Sequence, residues 1–254
     1  MVRIHLGSQY IMKNSTWCFG DIHGHYDQMM RLVEKCKLEG MDLLKNTIIF
    51  LGDVVDGGPQ AKQVIDQLMK WQKHNKNIIV LYGNHEDLLL DALLYNGRIY
   101  NSYDLWWNQG GEATYESFLP KSLDEFEKAI SQVEDHITPK YLDWLRQLPL
   151  FYETDKYFFV HAGLPHALSI KRAREILKKG GKDADDLRQK MLWIREEFIY
   201  SPYKWEKKII FGHTVHKDPV VLDNKIGLDG MFHNNGNLFA IELPNEKIYI
   251  EKSS

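Results

Sequence analysis

The 254-residue chain has only two cysteines, Cys18 and Cys36, far apart and in no CxxC pair. That argues against a disulfide-stapled secreted scaffold and for a reducing, cytoplasmic setting. Long apolar runs are also missing. Met1 to Thr16 intersperses Arg3, His5, Gln9 and Lys13 among its apolar positions, so neither a secretory leader nor a membrane span is expected. Nor is there a block of one charge sign: 32 basic and 35 acidic residues alternate closely, for a net charge of −3. This pattern disfavours a duplex nucleic-acid surface and a membrane-surface helix. Internal repeats, low-complexity tracts and linkers are lacking too. What is present is 44% hydrophobic residues, enough for a substantial core. Length and continuity predict one domain over 1–254, with helical elaborations at about 104–148 and 166–200.

The first half alternates strand-like and helix-like segments. Trp17–Phe19, Thr47–Leu51 and Asn77–Tyr82 are short apolar runs, each stopped by a glycine. Helical spacing follows each one, through Met29, Leu32 and Val33, through Val64, Ile65 and Leu68, and through Leu88, Leu89 and Ala92. A β-α-β-α-β order predicts an α/β fold with a buried, largely parallel sheet. Lys156–Val160 returns as a strand, and a polar helical insert, broken at Gly180-Gly181, runs over Ser169–Phe198. The tail reads as strands at Lys208–Phe211, Pro219–Leu222, Leu238–Leu243 and Lys247–Glu251, with a turn at Pro244-Asn245. Trp106, Trp107, Tyr115, Phe118 and Trp144 are expected to pack.

Five polar motifs stand where hydrophobic strands stop: Gly20-Asp21-Ile22-His23-Gly24, Gly52-Asp53-Val54-Val55-Asp56, Gly83-Asn84-His85-Glu86, His161-Ala162-Gly163 and Gly212-His213-Thr214. Ligands of open α/β sheets sit beyond the carboxyl ends of the strands, so these turns are expected to converge. Their content is metal ligation. Asp21 and His23 are two apart and would share a side of an extended segment. Asp53 could bridge two ions, Asn84 offers an amide oxygen, and His161 and His213 offer imidazole nitrogens. A mixed N/O set suits Mn, Fe or Zn better than calcium. The remaining histidines have weaker claims. His5, His74 and His136 read as solvated, while His25, His166, His216 and His233 lie near the motifs as possible contacts to ligands or substrate. Glu86 reads as a first-turn acid favoured by the helix dipole.

The ordered set resembles the phosphoprotein phosphatase family of calcineurin-like metallophosphoesterases, in particular its small bacterial and phage serine/threonine phosphatases. Trp107-Asn108-Gln109-Gly110-Gly111 and Leu192-Trp193-Ile194-Arg195 resemble two further elements of that family. The resemblance implies a four-layer α/β/β/α fold, a central β-sandwich of mixed sheets flanked by helices. It also implies two divalent metal ions, Mn first and Fe or Zn as alternatives. Asp21, His23 and Asp53 would hold one ion, and Asp53, Asn84, His161 and His213 the other. A hydroxide made available by the ions would attack the phosphorus directly. His85 would protonate the leaving group, held in place by Asp56, and Arg195 would grip the substrate phosphate. The implied partners are a phosphorylated protein or a small phosphoester, with phosphoserine and phosphothreonine foremost.

One departure bears on substrate. The family's second motif continues Asp-Arg-Gly, whereas here Asp56 is followed by Gly57 and Gly58. Weaker activity, an arginine replaced from elsewhere, or a roomier site for diesters and bulkier phosphates would each account for it. The alternative enzyme is a symmetrical dinucleoside tetraphosphate hydrolase or a phosphodiesterase. Such hydrolases usually lack an acid at the position of Asp56 and carry Gly-Asn-His-Asp, so the motifs lean away from them. A catalytically weak module that binds phosphorylated ligands is the third reading; the His85–Asp56 pair speaks against it.

Overall fold

The computed structural model describes residues 15–94, 102–120, 136–230 and 236–253. The N-terminal segment up to residue 14, the stretch of the first helical elaboration at 121–135, His5 and His233 lie outside the described residues. Strand β1 (Thr16–Phe19) pairs in parallel with β2 (Thr47–Phe50), and β2 with β3 (Ile78–Val80). Helices α1 (Tyr26–Leu38) and α2 (Ala61–His74) make the two crossovers. On its other side β1 meets β10 (Asn237–Leu243) antiparallel, and β10 continues to β11 (Lys247–Glu251) and to the short β9 (Asp229–Gly230).

The second sheet runs β4-β5-β6-β8-β7. Its centre is parallel: β5 (Tyr157–Val160), β6 (Lys208–Phe211) and β8 (Lys225–Gly227). Antiparallel β4 (Phe151–Glu153) and β7 (Val220–Leu222) close its edges. Strands β4, β8 and β9 have no counterpart in the sequence pattern. They are two or three residues long, too short for an alternation to register.

Period-two alternation builds the layers. In β1, Cys18 faces inward, whereas Trp17 and Phe19 face α1 and α2. In β2, Ile49 faces inward, and Ile48 and Phe50 outward. Strands β5 and β6 repeat this with Phe159 and Ile210 inside and Phe158 and Phe211 outside. The inward residues of the two sheets form one buried cluster, and each outer face has its own, so the fold is a sandwich of two mixed sheets flanked by helices.

The outer cover of the second sheet is the polar insert. Its two helices, Ile170–Lys179 and Lys182–Trp193, separate at Gly180-Gly181, and Leu187 and Met191 go into the core. A third, short helix, Glu196–Ile199, follows Arg195. Lys225, fully buried, donates to the carbonyls of Phe198, Ile199 and Ser201 at 2.8, 2.9 and 2.9 Å. Its ammonium also lies over the rings of Phe198 and Trp205 at 5.1 and 5.2 Å. This one cation satisfies the carbonyls at the end of that helix and so fixes the segment that carries Arg195. Among the described residues no helix is long and apolar enough to cross a membrane. Lys225→Met should cost about 2 kcal/mol, because three buried carbonyls lose a charged donor. Thermal denaturation would read this as a fall in Tm of about 4–8 °C.

Candidate metal centre and its surroundings

All five motifs sit at the carboxyl ends of parallel strands, β1, β2, β3, β5 and β6, on one edge of the sandwich. What makes them converge is local backbone geometry. His23, Asp53, Asp56 and His213 all adopt left-handed φ, at 44°, 48°, 66° and 61°. Conformations of this kind cost energy for non-glycine residues and persist only where surrounding contacts over-determine them. The expectation that Asp21 and His23 share one side of an extended segment is therefore wrong: the chain turns sharply at His23.

The over-determining contact is Glu86. Sequence reasoning assigned it to the first turn of a helix, and it does stand in the first turn of α3 (Asn84–Leu94). It is nevertheless fully buried, and its carboxylate accepts from the backbone N–H groups of Gly83 (2.8 Å), Asp53 (2.9 Å) and Val54 (2.8 Å). One side chain thus staples the turn after β2 to the turn after β3. Burial, with Asp53 nearby, pushes its pKa up to about 7. Gly83 permits the close approach: a Cβ there would come within 2.2 Å of the Asp53 Oδ1 atom.

Two groups of ligating atoms result, His23 with Asp53 and His85, and Asp53 with His161 and His213. Asp53 belongs to both. Its Oδ2 lies 3.6 Å from His23 Nε2 and 3.4 Å from His161 Nε2, while Oδ1 accepts from the His85 N–H at 3.0 Å. Burial opposes the charge of Asp53, but the His161 and His85 imidazoles hold it well below the usual carboxylate range. Asn84 joins the second group, with Oδ1 2.7 Å from His161 Nε2 and 2.8 Å from His213 Nδ1. Asp21 accepts from the His213 N–H at 2.9 Å. Asp21, His23, Asp53, Asn84, His161 and His213 therefore share one neighbourhood, as the motif positions predict.

The donor set fits divalent cations. The Nδ1 of His161 faces the Leu51 carbonyl at 2.8 Å and that of His23 the Val55 carbonyl at 3.2 Å. Each ring donates a hydrogen bond through Nδ1–H to its carbonyl, which directs both Nε2 atoms toward Asp53. Burial holds His213 down to about 2 and His23 to about 3, keeping both neutral, the state in which imidazole ligates. Among the candidate ligands described, Asp21 Oδ1 and His213 Nε2 are buried without a hydrogen-bond partner. Burial, followed by the charge of Asp229, pushes Asp21 well above the normal range. A carboxylate oxygen orphaned beside imidazoles and a second acid is a position that a cation would relieve.

The His85–Asp56 pair is formed, Nδ1 to Oδ2 at 2.8 Å. The carboxylate of Asp56 is itself held: Trp106 Nε1 and Thr114 Oγ1 both donate to Oδ1, at 3.0 and 2.8 Å. Neither residue had been singled out for a polar role. Trp106 is buried as expected, but it carries a hydrogen bond that its apolar context conceals. Burial works against protonation of His85, yet Asp53 and Asp56 outweigh it and raise its pKa to about 9. Arg195 donates through Nη1 to the His213 carbonyl at 2.8 Å and lines the same cavity of about 800 Å³ as His23, Asn84 and His85. Asp229, buried in β9, also lines it and escaped the sequence reading. Of the other histidines, His136 is half-buried, with its Nε2 buried and its ring 6.1 Å from that of Tyr115.

A two-sheet sandwich with Asp, His and Asn at the strand ends is the architecture of a metallophosphoesterase. The family model described as calcineurin-like phosphoesterase matches residues 15–230, and the chain belongs to that family. Its similarities then divide by substrate. An asymmetrical bis(5′-nucleosyl)-tetraphosphatase, PrpE, of Anoxybacillus flavithermus is 26% identical over 89% of each chain. The cold-active protein-tyrosine phosphatase of a psychrophilic Shewanella superposes with TM-score 0.59 at 18% identity, over 94% of this chain and 82% of that one. A serine/threonine phosphatase of Saccharomyces cerevisiae gives 0.56 at 15%, over 95% and 81%. The two solved structures share the fold alone.

Glu86→Gln replaces an oxygen that accepts backbone N–H groups with an N–H₂ that faces them. It should lower divalent-metal affinity by about 10–100-fold and stability by about 2 kcal/mol. Metal titration and thermal melts of the variant beside wild type would measure both.

Proposed function

We propose that the chain is a metal-dependent hydrolase of dinucleoside polyphosphates, cutting a phosphoanhydride bond of a substrate such as diadenosine tetraphosphate. The observation that carries this reading is the open cavity beside Gly57. At about 800 Å³ it is several times larger than a phosphate group needs, and its wall at the missing arginine is backbone, Gly57 N–H donating to the Gly110 carbonyl at 3.1 Å. The similarity to the tetraphosphatase PrpE over most of both chains supports the same substrate class. This reverses the order expected from the motifs alone, in which phosphoserine and phosphothreonine came first. It also favours the asymmetrical over the symmetrical cut named there as the alternative.

In this reading Asp21, His23 and Asp53 hold one cation and Asp53, Asn84, His161 and His213 a second. Bound cations would acidify water for the attack and neutralise charge that develops on the phosphate oxygens. His85, with Nδ1 tied to Asp56, presents Nε2 to the cavity, and the Asp56 carboxylate favours the protonated ring. The ring delivers its proton to the departing oxygen. Trp106 and Thr114 keep the Asp56 carboxylate turned toward His85. Arg195, anchored on the His213 carbonyl, steers a phosphate of the substrate with its remaining N–H groups.

The test is product analysis with Mn²⁺ and diadenosine tetraphosphate. One mono- and one triphosphate are expected, with faster turnover than on phosphoserine or phosphothreonine peptides under the same conditions. His85→Asn should lower kcat by about 10²–10⁴-fold, and exhaustive chelation should abolish turnover until Mn²⁺ is restored. Turnover of phosphopeptides alone would return the chain to the protein-phosphatase reading.

Gly57 sits at φ 84°, so Gly57→Arg is strained as well as bulky. A cost of about 1–2 kcal/mol is expected, together with a larger loss of turnover on diadenosine tetraphosphate than on p-nitrophenyl phosphate. Melting curves and the ratio of the two kcat/KM values would record it.

A further inference from the structure

The wall of the metal-site cavity opposite in character to its ligands is the turn Trp107–Gly111, which contributes Trp107, Asn108, Gln109 and Gly110. Trp107 is half-buried and its ring is fixed from three sides. Tyr103 stacks on it (5.7 Å, 19°), Tyr115 tilts against it (5.8 Å) and Trp106 stands edge-on (6.1 Å, 79°). A ring held in this way loses little freedom when a ligand stacks on it. Asn108 and Gln109 are exposed amides beside it, offering both donors and acceptors. The neighbouring Glu112 also lines the cavity and would repel a phosphate or an acidic peptide. Flat aromatic surface, neutral amides and an acid together select a neutral heterocycle, not more phosphate. The turn is also continuous with the reacting groups. Gly110 accepts from Gly57 where the arginine is missing, and Trp106 donates to Asp56.

We infer that Trp107, with Asn108 and Gln109, is the platform on which a purine base of the substrate stacks, so that the position vacated by the arginine's grip is taken over by base binding. The inference rests on the nucleotide reading above.

The experiment compares kcat and KM for diadenosine tetraphosphate and for inorganic tripolyphosphate, which has no base, in wild type, Trp107→Leu and Trp107→Phe. Trp107→Leu should raise KM for the dinucleotide by about tenfold, the cost of one lost base stack, with a much smaller change for tripolyphosphate. Trp107→Phe, which keeps an aromatic face, should recover most of the difference and guards against a variant that merely folds badly. If wild type cleaves the dinucleotide but Trp107→Leu affects both substrates equally, or neither, the platform is wrong and the nucleotide reading stands. If wild type cleaves tripolyphosphate and p-nitrophenyl phosphate but no dinucleotide, the nucleotide reading itself fails, and the platform with it.

Discussion

The site depends on one buried carboxylate spending its lone pairs on backbone. Glu86 binds three main-chain N–H groups from two different strand-end turns, and the bonds of the His85 N–H to Asp53 and of its ring to Asp56 join the same two turns. An ionised carboxylate without solvent is costly unless several donors surround it. Two of the donors, Asp53 and Val54, belong to the turn after β2, where Gly52 and Asp53 take left-handed φ of 101° and 48°; the third is Gly83. The strain and the buried charge therefore stabilise each other. The turn presents its N–H groups because it is strained, and it stays strained because Glu86 occupies them.

From that staple the electrostatics follow outward. Asp53 is fixed at its backbone by Glu86 and at Oδ1 by the His85 N–H, which leaves Oδ2 directed at His23 and His161. Its charge then holds a proton on His161, raised to about 10, and on His85, while His213 and His23 stay neutral. On the proposed function, a cation held by Asp53 would compete with the proton on His161, so its binding would release that proton. His85 is different in kind. Asp56 supplies it with a second carboxylate outside the ligand cluster, and Trp106 and Thr114 hold that carboxylate. On the proposed function, this would separate the group that moves a proton from the groups that hold cations.

Much of this was legible in the sequence, for a physical reason. A strand buried on both faces must read as an apolar run, and the polar residues that end it must lie at the sheet's carboxyl edge, so Asp21, Asp53, Asn84, His161 and His213 announced both fold and site. What escaped has an equally definite cause. Glu86 looked like any first-turn acid, because its partners are backbone amides and backbone has no signature in sequence. Trp106 and Thr114 act on Asp56 across about 50 and 58 positions of chain, a separation over which no periodicity operates. The bend at His23 was misread as extended because residue identity does not specify φ, although a histidine before glycine is among the few non-glycine contexts that tolerate such a turn. Strands β4 and β8 were missed for their brevity, and Asp229 with them, since it lies in a strand of two residues.

Substrate preference is the level at which fold stops informing, since phosphatases of tyrosine and of serine or threonine share this sandwich at TM-scores of 0.59 and 0.56. The ligand cluster is chemistry common to all phosphate esters and anhydrides, so discrimination has to come from its rim. At the rim, Gly57 departs from the protein-phosphatase motif, and it touches the turn Trp107–Gly111, which resembles an element of that family. Gly57 removes a guanidinium, and its N–H is taken by the Gly110 carbonyl of the aromatic turn. A Cβ at Gly110 would come within 2.6 Å of the Gly57 nitrogen, so the turn can approach this closely only with glycine at 110. Where the family's motif has arginine, the backbone of this turn therefore meets Gly57 directly. On the proposed function, affinity for a phosphate would be exchanged there for surface that suits the organic part of the substrate, an exchange that a nucleotide hydrolase requires and a phosphopeptide hydrolase does not.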